Sequence, residues 1–556
     1  MSPAHFKIRP VNKILEESFK NNWSRPALSD FGGDTLSYGE LCNRIARLHI
    51  FFKQCGIDRG DRIAICSRNQ ISWGATFLAT ITYGAVAVPI LHEFKPSSIM
   101  HLVKHCGAQY LFVGGPMWET LCYEDMSFLK AVVRFPRFDV VWSSGDKPRK
   151  ARESLDDKFR RKYRGGFGPE CVDYRKDRPG ALALISYTSG TSGFSKGVMI
   201  PFRALCSNIL FAAEVEPQMG NTSNVLSILP SSHMFGLMFE FLFEMTIGAH
   251  VHFLTRLPSP RVFLSALQSL RPDIIIAVPM IVEKVYKNFV MPLLRRRMVK
   301  LFFRVPVVDQ MLEKRFKREL YGLLGGNFKE MIIGGAAFSR DVEKILRKMS
   351  FPFTVGYGMT ECAPIITYAP AGSAKLYSCG KAAPRMSLRI DSKNPAEVPG
   401  EILVKGDNLF SGYYNNEKAT KAAFTRDGWF RTGDIGILDS DGYLFIRGRK
   451  KSMILGPSGQ NIYPEELESV LDNMPEVAES LVVEDDGKLV GLVYPNSEII
   501  DLQQVTEEDM KARCRQIMDS ANGELPKYCQ LSKVEIVPEE FEKTPKHSIK
   551  RYLYQR

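Results

Sequence analysis

The segment YTSGTSGFSKGV, residues 187–198, carries the densest chemistry in the chain. An apolar run, ALALISY (181–187), leads directly into glycines, a cluster of Ser and Thr, and Lys196. Small residues let backbone N–H groups approach an anion closely, and hydroxyls add further donors. Lys196 adds positive charge. This is chemistry suited to a polyphosphate. It is not a Walker A loop, because Lys196 is followed by Gly197 instead of Ser or Thr. Nor is there a GxGxxG dinucleotide fingerprint. A Ser/Gly surface linker is the plain alternative; a buried strand running straight into the loop argues against it.

Other candidate groups are weaker alone. Asp434 in RTGDIG has the type of an ordinary turn residue. His233 sits in Ser-Ser-His-Met-Phe-Gly before the aromatic run FGLMFEFLF, where a lone His is as readily a core residue as a catalytic one. His101 and His105 have i, i+4 spacing, but no third ligand accompanies them, so a structural role is expected.

Motif order is more informative. YGELCNRIARL and ITYGAVAVP come early, then the 187–198 loop, LPSSHMFG (229–236) and IIGGAA (332–337). YGMTEC (357–362), GEILVKGDNLFSGYY (400–414), RTGDIG (431–436), GRKKSMI (448–454) and NIYPEELE (461–468) follow. This series resembles the adenylate-forming (AMP-binding) superfamily over nearly the whole chain. Its wording looks most like bacterial long-chain fatty-acid–CoA ligases.

The resemblance implies a two-step reaction. A carboxylate attacks the α-phosphorus of ATP to give acyl-AMP and pyrophosphate, and coenzyme A then displaces AMP. It implies ATP, Mg²⁺ and coenzyme A as cofactors or co-substrates. By the same resemblance Thr188, Ser189, Gly190, Thr191, Ser192, Gly193 and Lys196 cradle the outer phosphates. Tyr357 stacks on adenine, with Gly335 and Ala336 on its other side. Thr360 binds the α-phosphate, and Glu361 binds Mg²⁺ through a hard oxygen donor. Asp434 accepts from the ribose hydroxyls, and Arg449 approaches ribose and α-phosphate. His233 lies beside the acyl site. Phe235, with Met238, Phe239 and Phe243, is a candidate wall of an apolar tunnel, and helix-core packing is the equal alternative. Acetate-specific relatives place a bulky Trp around the YGMTE-type motif, whereas here Glu361 is followed by the small or modest Cys362, Ala363 and Pro364, so an open pocket and medium-to-long fatty acids are expected. Lys451 is the expected hinge of a mobile lid, and Gly459 the expected wall of a pantetheine tunnel. A carrier protein as acceptor, acyl-AMP formation without transfer, and a non-catalytic binder are the alternatives.

One departure stands out. Relatives end in a Lys-Thr-Pro-Ser-Gly-Lys-like run whose second Lys reaches the α-phosphate. Here, in EKTPKHSIKR (542–551), that position is Ser548. Lys546 and Lys550 flank it by two residues. An extended segment would point both to the same side as residue 548, so either is a candidate substitute.

Elements must position these residues. Short apolar runs at 61–66, 108–113, 181–187, 224–230, 249–254 and 272–279 read as buried strands, separated by amphipathic stretches such as 96–106 and 260–270. This alternation predicts an α/β fold of helix-covered parallel sheets. Residues 69–92 carry no Asp, Glu, Lys or Arg and read as a buried helix, a Gly turn and a strand, in preference to a membrane span. After about residue 436 strand–turn–strand patterns predominate. The expected organisation is a large multi-subdomain N-terminal domain (1–448), a hinge (449–451) and a small α+β lid (452–556).

Composition bounds the rest. The 556 residues are 45% hydrophobic and 24% charged, ordinary globular values that argue against disorder. The net charge of +13 sits almost wholly in two patches, residues 147–164 and 284–319. That distribution does not suit a nucleic-acid coat. Solvated helix faces are one reading of the patches, and docking on an anionic membrane surface is the other. Eleven scattered cysteines without a CxxC pair, and an N-terminus without a signal-type apolar core, lead to an expected cytoplasmic location. Monomer and homodimer both remain open.

Overall fold

The computed structural model describes residues 9–188, 196–255, 260–290, 306–455, 461–497, 499–500, 506–544 and 548–556. Among the described residues two seven-stranded sheets form the large N-terminal part. The first places Tyr110–Val113, Arg62–Cys66, Val86–Ile90 and Leu182–Thr188 side by side in parallel. The second places Glu330–Ile333, Ile274–Ala277, Asn224–Ser227 and His250–Phe253 side by side in the same way. Strand edges at Asp139–Ser143, Lys196–Pro201 and Thr35–Ser37 are antiparallel.

The uncharged stretch 69–92 resolves as expected. Helix Ile71–Tyr83 is buried along almost its whole length, Gly84 closes it at φ +90°, and strand Val86–Ile90 follows. Its threonines satisfy their hydroxyls on the preceding turn: Thr76 donates to Ser72 O and Thr80 to Thr76 O, both at 2.7 Å. Those bonds satisfy the buried threonine hydroxyls, whereas Trp73 Nε1 in the same helix is buried with no hydrogen-bond partner among the described residues. Among the described residues no helix is long and apolar enough to cross a membrane.

An antiparallel four-stranded sheet, Met386–Asp391, Gly400–Gly406, Phe430–Leu438 and Leu444–Arg449, leads toward the small C-terminal domain. There helices Pro464–Asp472 and Glu507–Glu524 accompany the sheet of Val477–Asp485, Lys488–Pro495 and Lys533–Ile536. Thr506 opens the second helix by accepting from Asp509 N, a side-chain cap that ties down one otherwise unpaired donor.

The first basic patch lies on two short helices, Lys147–Glu153 and Leu155–Lys162. Ala151, Leu155 and Phe159 are buried, and the Arg47 guanidinium lies 4.2 Å over the Phe159 ring. Lys158, Arg160, Arg161 and Lys162 are exposed. Much of the second patch lies outside the described residues.

Candidate active site

The phosphate-type loop joins two antiparallel strands, with Thr188 opposite Lys196. Ser189, Gly190, Thr191, Ser192 and Gly193 lie outside the described residues. Thr188 Oγ1 donates to Lys196 O at 3.5 Å. The segment around Gly412 docks on the second strand: Met199 N donates to Gly412 O at 3.0 Å and Tyr414 N to Gly197 O at 2.8 Å. This docking brings the Tyr413 ring under Lys196, whose Nζ is 4.6 Å from the ring centroid. The Tyr413 hydroxyl donates to Glu361 Oε1 at 2.9 Å. Burial and then the Glu361 charge raise the phenol's pKa, so it stays a donor. Lys196 and Glu361 are thus joined through one aromatic side chain. Tyr413 stands inside the motif GEILVKGDNLFSGYY, whose sequence assigns it no role; the paired tyrosines of SGYY are the available signal.

Thr360 and Glu361 sit on a one-turn helix, Thr360–Cys362, between strands Tyr357–Gly358 and Ile365–Tyr368. Each is 7% exposed. Glycine is required at 358, because a Cβ there would lie 2.2 Å from Pro364 O. The Tyr357 hydroxyl donates to Asp434 Oδ2 at 2.6 Å. Asp434 and Arg449 are opposite each other in neighbouring strands, with Nε 3.5 Å from Oδ1. Burial raises the Asp434 pKa, while Arg449 and the Tyr357 hydroxyl pull it back down. Burial and the facing Asp434 charge push the Tyr357 phenol well up. Gly335, at φ +92°, and Ala336 are exposed just beyond strand Glu330–Ile333.

A cleft of ≈ 740 Å³ opens beside these groups. His233, Gly335, Tyr357 and Thr360 line it together with Phe211, Phe235, Phe239, Phe243, Ile274, Ile276 and Ile332. His233 caps a short helical turn, its Nδ1 accepting from Phe235 N at 3.4 Å. Cys362 and Ala363 depart from the expected place. Both are fully buried in the main core and are not among the cleft-lining residues. The turn after Glu361 carries them inward, where Asn208 Nδ2 donates to Cys362 O at 3.3 Å and burial pushes the thiol pKa up.

A sequence family described as AMP-binding enzyme matches residues 15–414, and its C-terminal domain family matches residues 466–547. The chain belongs to the AMP-binding enzyme family. The resemblance read from motif order therefore holds. A long-chain-fatty-acid–CoA ligase, FadD15 of Mycobacterium bovis, is 26% identical over 88% of this chain and 83% of its own length. An indoleacetate–CoA ligase of Aromatoleum aromaticum is 29% identical over 81% of this chain and 80% of its own. The o-succinylbenzoate coenzyme A synthetase MenE of Bacillus subtilis, solved with ATP and magnesium ion, superposes with a TM-score of 0.74 at 21% identity. That comparison covers 97% of this chain and 98% of the other, and it shows the shared fold.

In this AMP-binding enzyme the small domain follows directly on the Asp434–Arg449 strand pair. Lys451 is exposed two residues beyond Arg449. Several polar contacts join the small domain to the large one: Ser339 Oγ donates to Asn473 Oδ1 at 2.6 Å and Lys287 Nζ to Asp472 O at 3.0 Å. Gly459 and Lys546 lie outside the described residues. The tail around Ser548 is not the extended segment expected from its sequence. Lys543 and Ile549 form an antiparallel bridge, and Thr544 N donates to Ser548 O at 2.8 Å, so the chain turns back on itself. The Lys550 ammonium donates to Glu542 Oε2 at 2.8 Å.

Proposed function

We propose that the protein is an AMP-forming acid–coenzyme A ligase whose acids are medium-to-long fatty acids. The observation that carries this reading is one juxtaposition. The two linked groups Lys196–Tyr413–Glu361 and Tyr357–Asp434–Arg449 border the part of the chain where an aromatic-lined cleft opens. One group is suited to phosphate charge and the other to a ribose. The cleft suits an apolar tail.

The incoming carboxylate is already an anion, so no general base is needed. The protein's work is to place two anions together and offset the charge that develops on the α-phosphoryl group. Lys196 and Arg449 supply positive charge, and Thr360 supplies a hydroxyl donor. Asp434, an acceptor held between Tyr357 and Arg449, orients the ribose. Glu361, buried and with Oε1 fixed by Tyr413, suits Mg²⁺, a hard cation that binds proteins through one or two carboxylates plus substrate phosphates. Mg²⁺ bound there would screen the phosphate oxygens. Lys546 and Lys550 are the candidates for the lysine missing at 548, and Lys451 is the candidate hinge. Each buried CH₂ contributes about 0.8 kcal/mol, so an apolar cleft of this kind favours longer chains over acetate.

Steady-state kcat/KM for acids from acetate to palmitate tests the substrate, with coenzyme A or acyl carrier protein as acceptor. The expected profile rises with chain length and requires coenzyme A. A maximum at acetate or propionate would overturn it. Acid binding without release of pyrophosphate would instead favour a non-catalytic binder, the reading that Ser548 supports.

A further inference from the structure

The apolar cleft ends on carboxyl groups that the proposed reaction leaves unused. One wall follows the second sheet, where Ile274 and Ile276 alternate in step with Ile332 and Gly334, and Ile274 lies opposite Glu330. Gly334 is four positions along the chain from Glu330, so roughly 13 Å lies between the far end and the mouth beside Gly335.

Glu216 and Glu244 belong to that far end, and both line the cleft. They are 6% and 1% exposed. Glu216 follows helix Phe202–Val215 and is already engaged: the Tyr368 hydroxyl lies 3.1 Å from its Oε1 and also contacts the Glu330 carboxyl, and Gln218 Nε2 donates to its Oε2. Glu244, in helix Phe243–Ile247, is different. Its Oε2 is buried and has no hydrogen-bond partner among the described residues. Burial, with Glu216 and Asp273 nearby, pushes this carboxyl's pKa well up, which favours the protonated form, and a protonated carboxyl can both donate and accept. A cleft built only for a methyl end has no use for such a group, and leaving it unpaired is costly.

Resting on the fatty-acid ligase reading, we infer that the cleft selects acids bearing a hydroxyl at the end remote from the carboxylate, with the Glu244 carboxyl as the hydroxyl's hydrogen-bond partner. A plain chain leaves Glu244 unsatisfied, whereas a hydroxylated chain pairs it. A site built to bond a substrate hydroxyl rejects the analogue lacking it far more strongly than an apolar pocket separates two hydrocarbons.

The test compares plain saturated acids, octanoic to hexadecanoic, with their ω-hydroxy counterparts. Pyrophosphate release is measured on the full chain, and calorimetry measures binding of the same acids. At the best-fitting length the ω-hydroxy acid is expected to exceed its plain partner in kcat/KM by about tenfold or more. Glu244→Gln, which keeps hydrogen-bonding capacity, is expected to retain the preference, and Glu244→Leu to reverse it. Equal use of both partners by the unsubstituted protein, or a preference unchanged in a folded Glu244→Leu chain, overturns this inference and leaves the ligase reading standing. If no acid of either series releases pyrophosphate, the ligase reading falls and this inference falls with it.

Discussion

Asp434 is held between a phenol and a guanidinium, and that pairing decides what substitution there should do. Asp434→Asn keeps one acceptor oxygen but loses the charge facing Arg449 and the second acceptor for a ribose. A hydrogen bond involving a charged group contributes about 1.5–3 kcal/mol, so KM for ATP is expected to rise by roughly ten- to a hundredfold. Steady-state kinetics at saturating acid checks this. Tyr413→Phe keeps the ring under Lys196 and removes only the donor to Glu361. A loss of about fivefold in kcat/KM is expected, on the order of 1 kcal/mol, with a larger loss for Tyr413→Ala. Glu361, Asp434 and Arg449 are picked out by the motifs that carry the family resemblance, and the fold sets Asp434 against Tyr357 and Arg449. Tyr413 is not picked out, because its value depends on the fold bringing it between two residues remote in sequence. Cys362 and Ala363 pack into the main core next to Glu361, and their burial is not visible from the motif alone.

Helices and strands were the most readable level. The uncharged run 69–92, the strand pair around Asp439–Asp441 and the helix opening at Pro464 all follow from periodicity and turn chemistry. Pairing was harder to see. The tail turn rests on a bridge between Lys543 and Ile549, which alternation alone does not reveal. The glutamates of FEFLFEMT follow the same lesson. Helical spacing would turn Glu240 and Glu244 outward, yet both are buried. Glu240 finds partners in Ile228 N and Leu229 N at 3.0 and 2.9 Å. The cluster around Glu216 has a pH signature. In the folded chain burial, and next the charge of nearby Glu330, push the Glu216 carboxyl up to about 8 from 4.5 for a free side chain. The folded chain therefore binds more protons over that window. Stability from this group is fully present below the lower value and is lost as pH rises through the upper one. Glu216→Gln should remove part of that loss, on the order of 2 kcal/mol, making thermal unfolding less pH-dependent between about pH 5 and 8. An unchanged slope would place the titration elsewhere.

At the scale of the whole molecule the proposed reaction has two steps, making acyl-AMP and transferring the acyl group to coenzyme A, and the proposed mobile lid would serve both. Lys451, exposed beside Arg449, is the candidate pivot. Proline restricts φ, so Lys451→Pro should leave pyrophosphate release within about threefold of the unsubstituted protein while lowering acyl-CoA formation by about tenfold or more. Equal loss of both would argue against a hinge there. The positive charge also takes a clearer place. Lys196 and Arg449 belong to the candidate site, whereas the patch at 147–164 is the outer face of two helices packed through Ala151, Leu155 and Phe159. The central claim is that these parts together activate a carboxylic acid with ATP. Fatty-acid-dependent ATP–pyrophosphate exchange measures this without involving the thiol acceptor. Exchange that requires both acid and magnesium, and that falls by about a hundredfold or more in Glu361→Ala, is the predicted result. No acid-dependent exchange in the folded protein, across short and long acids alike, would contradict it.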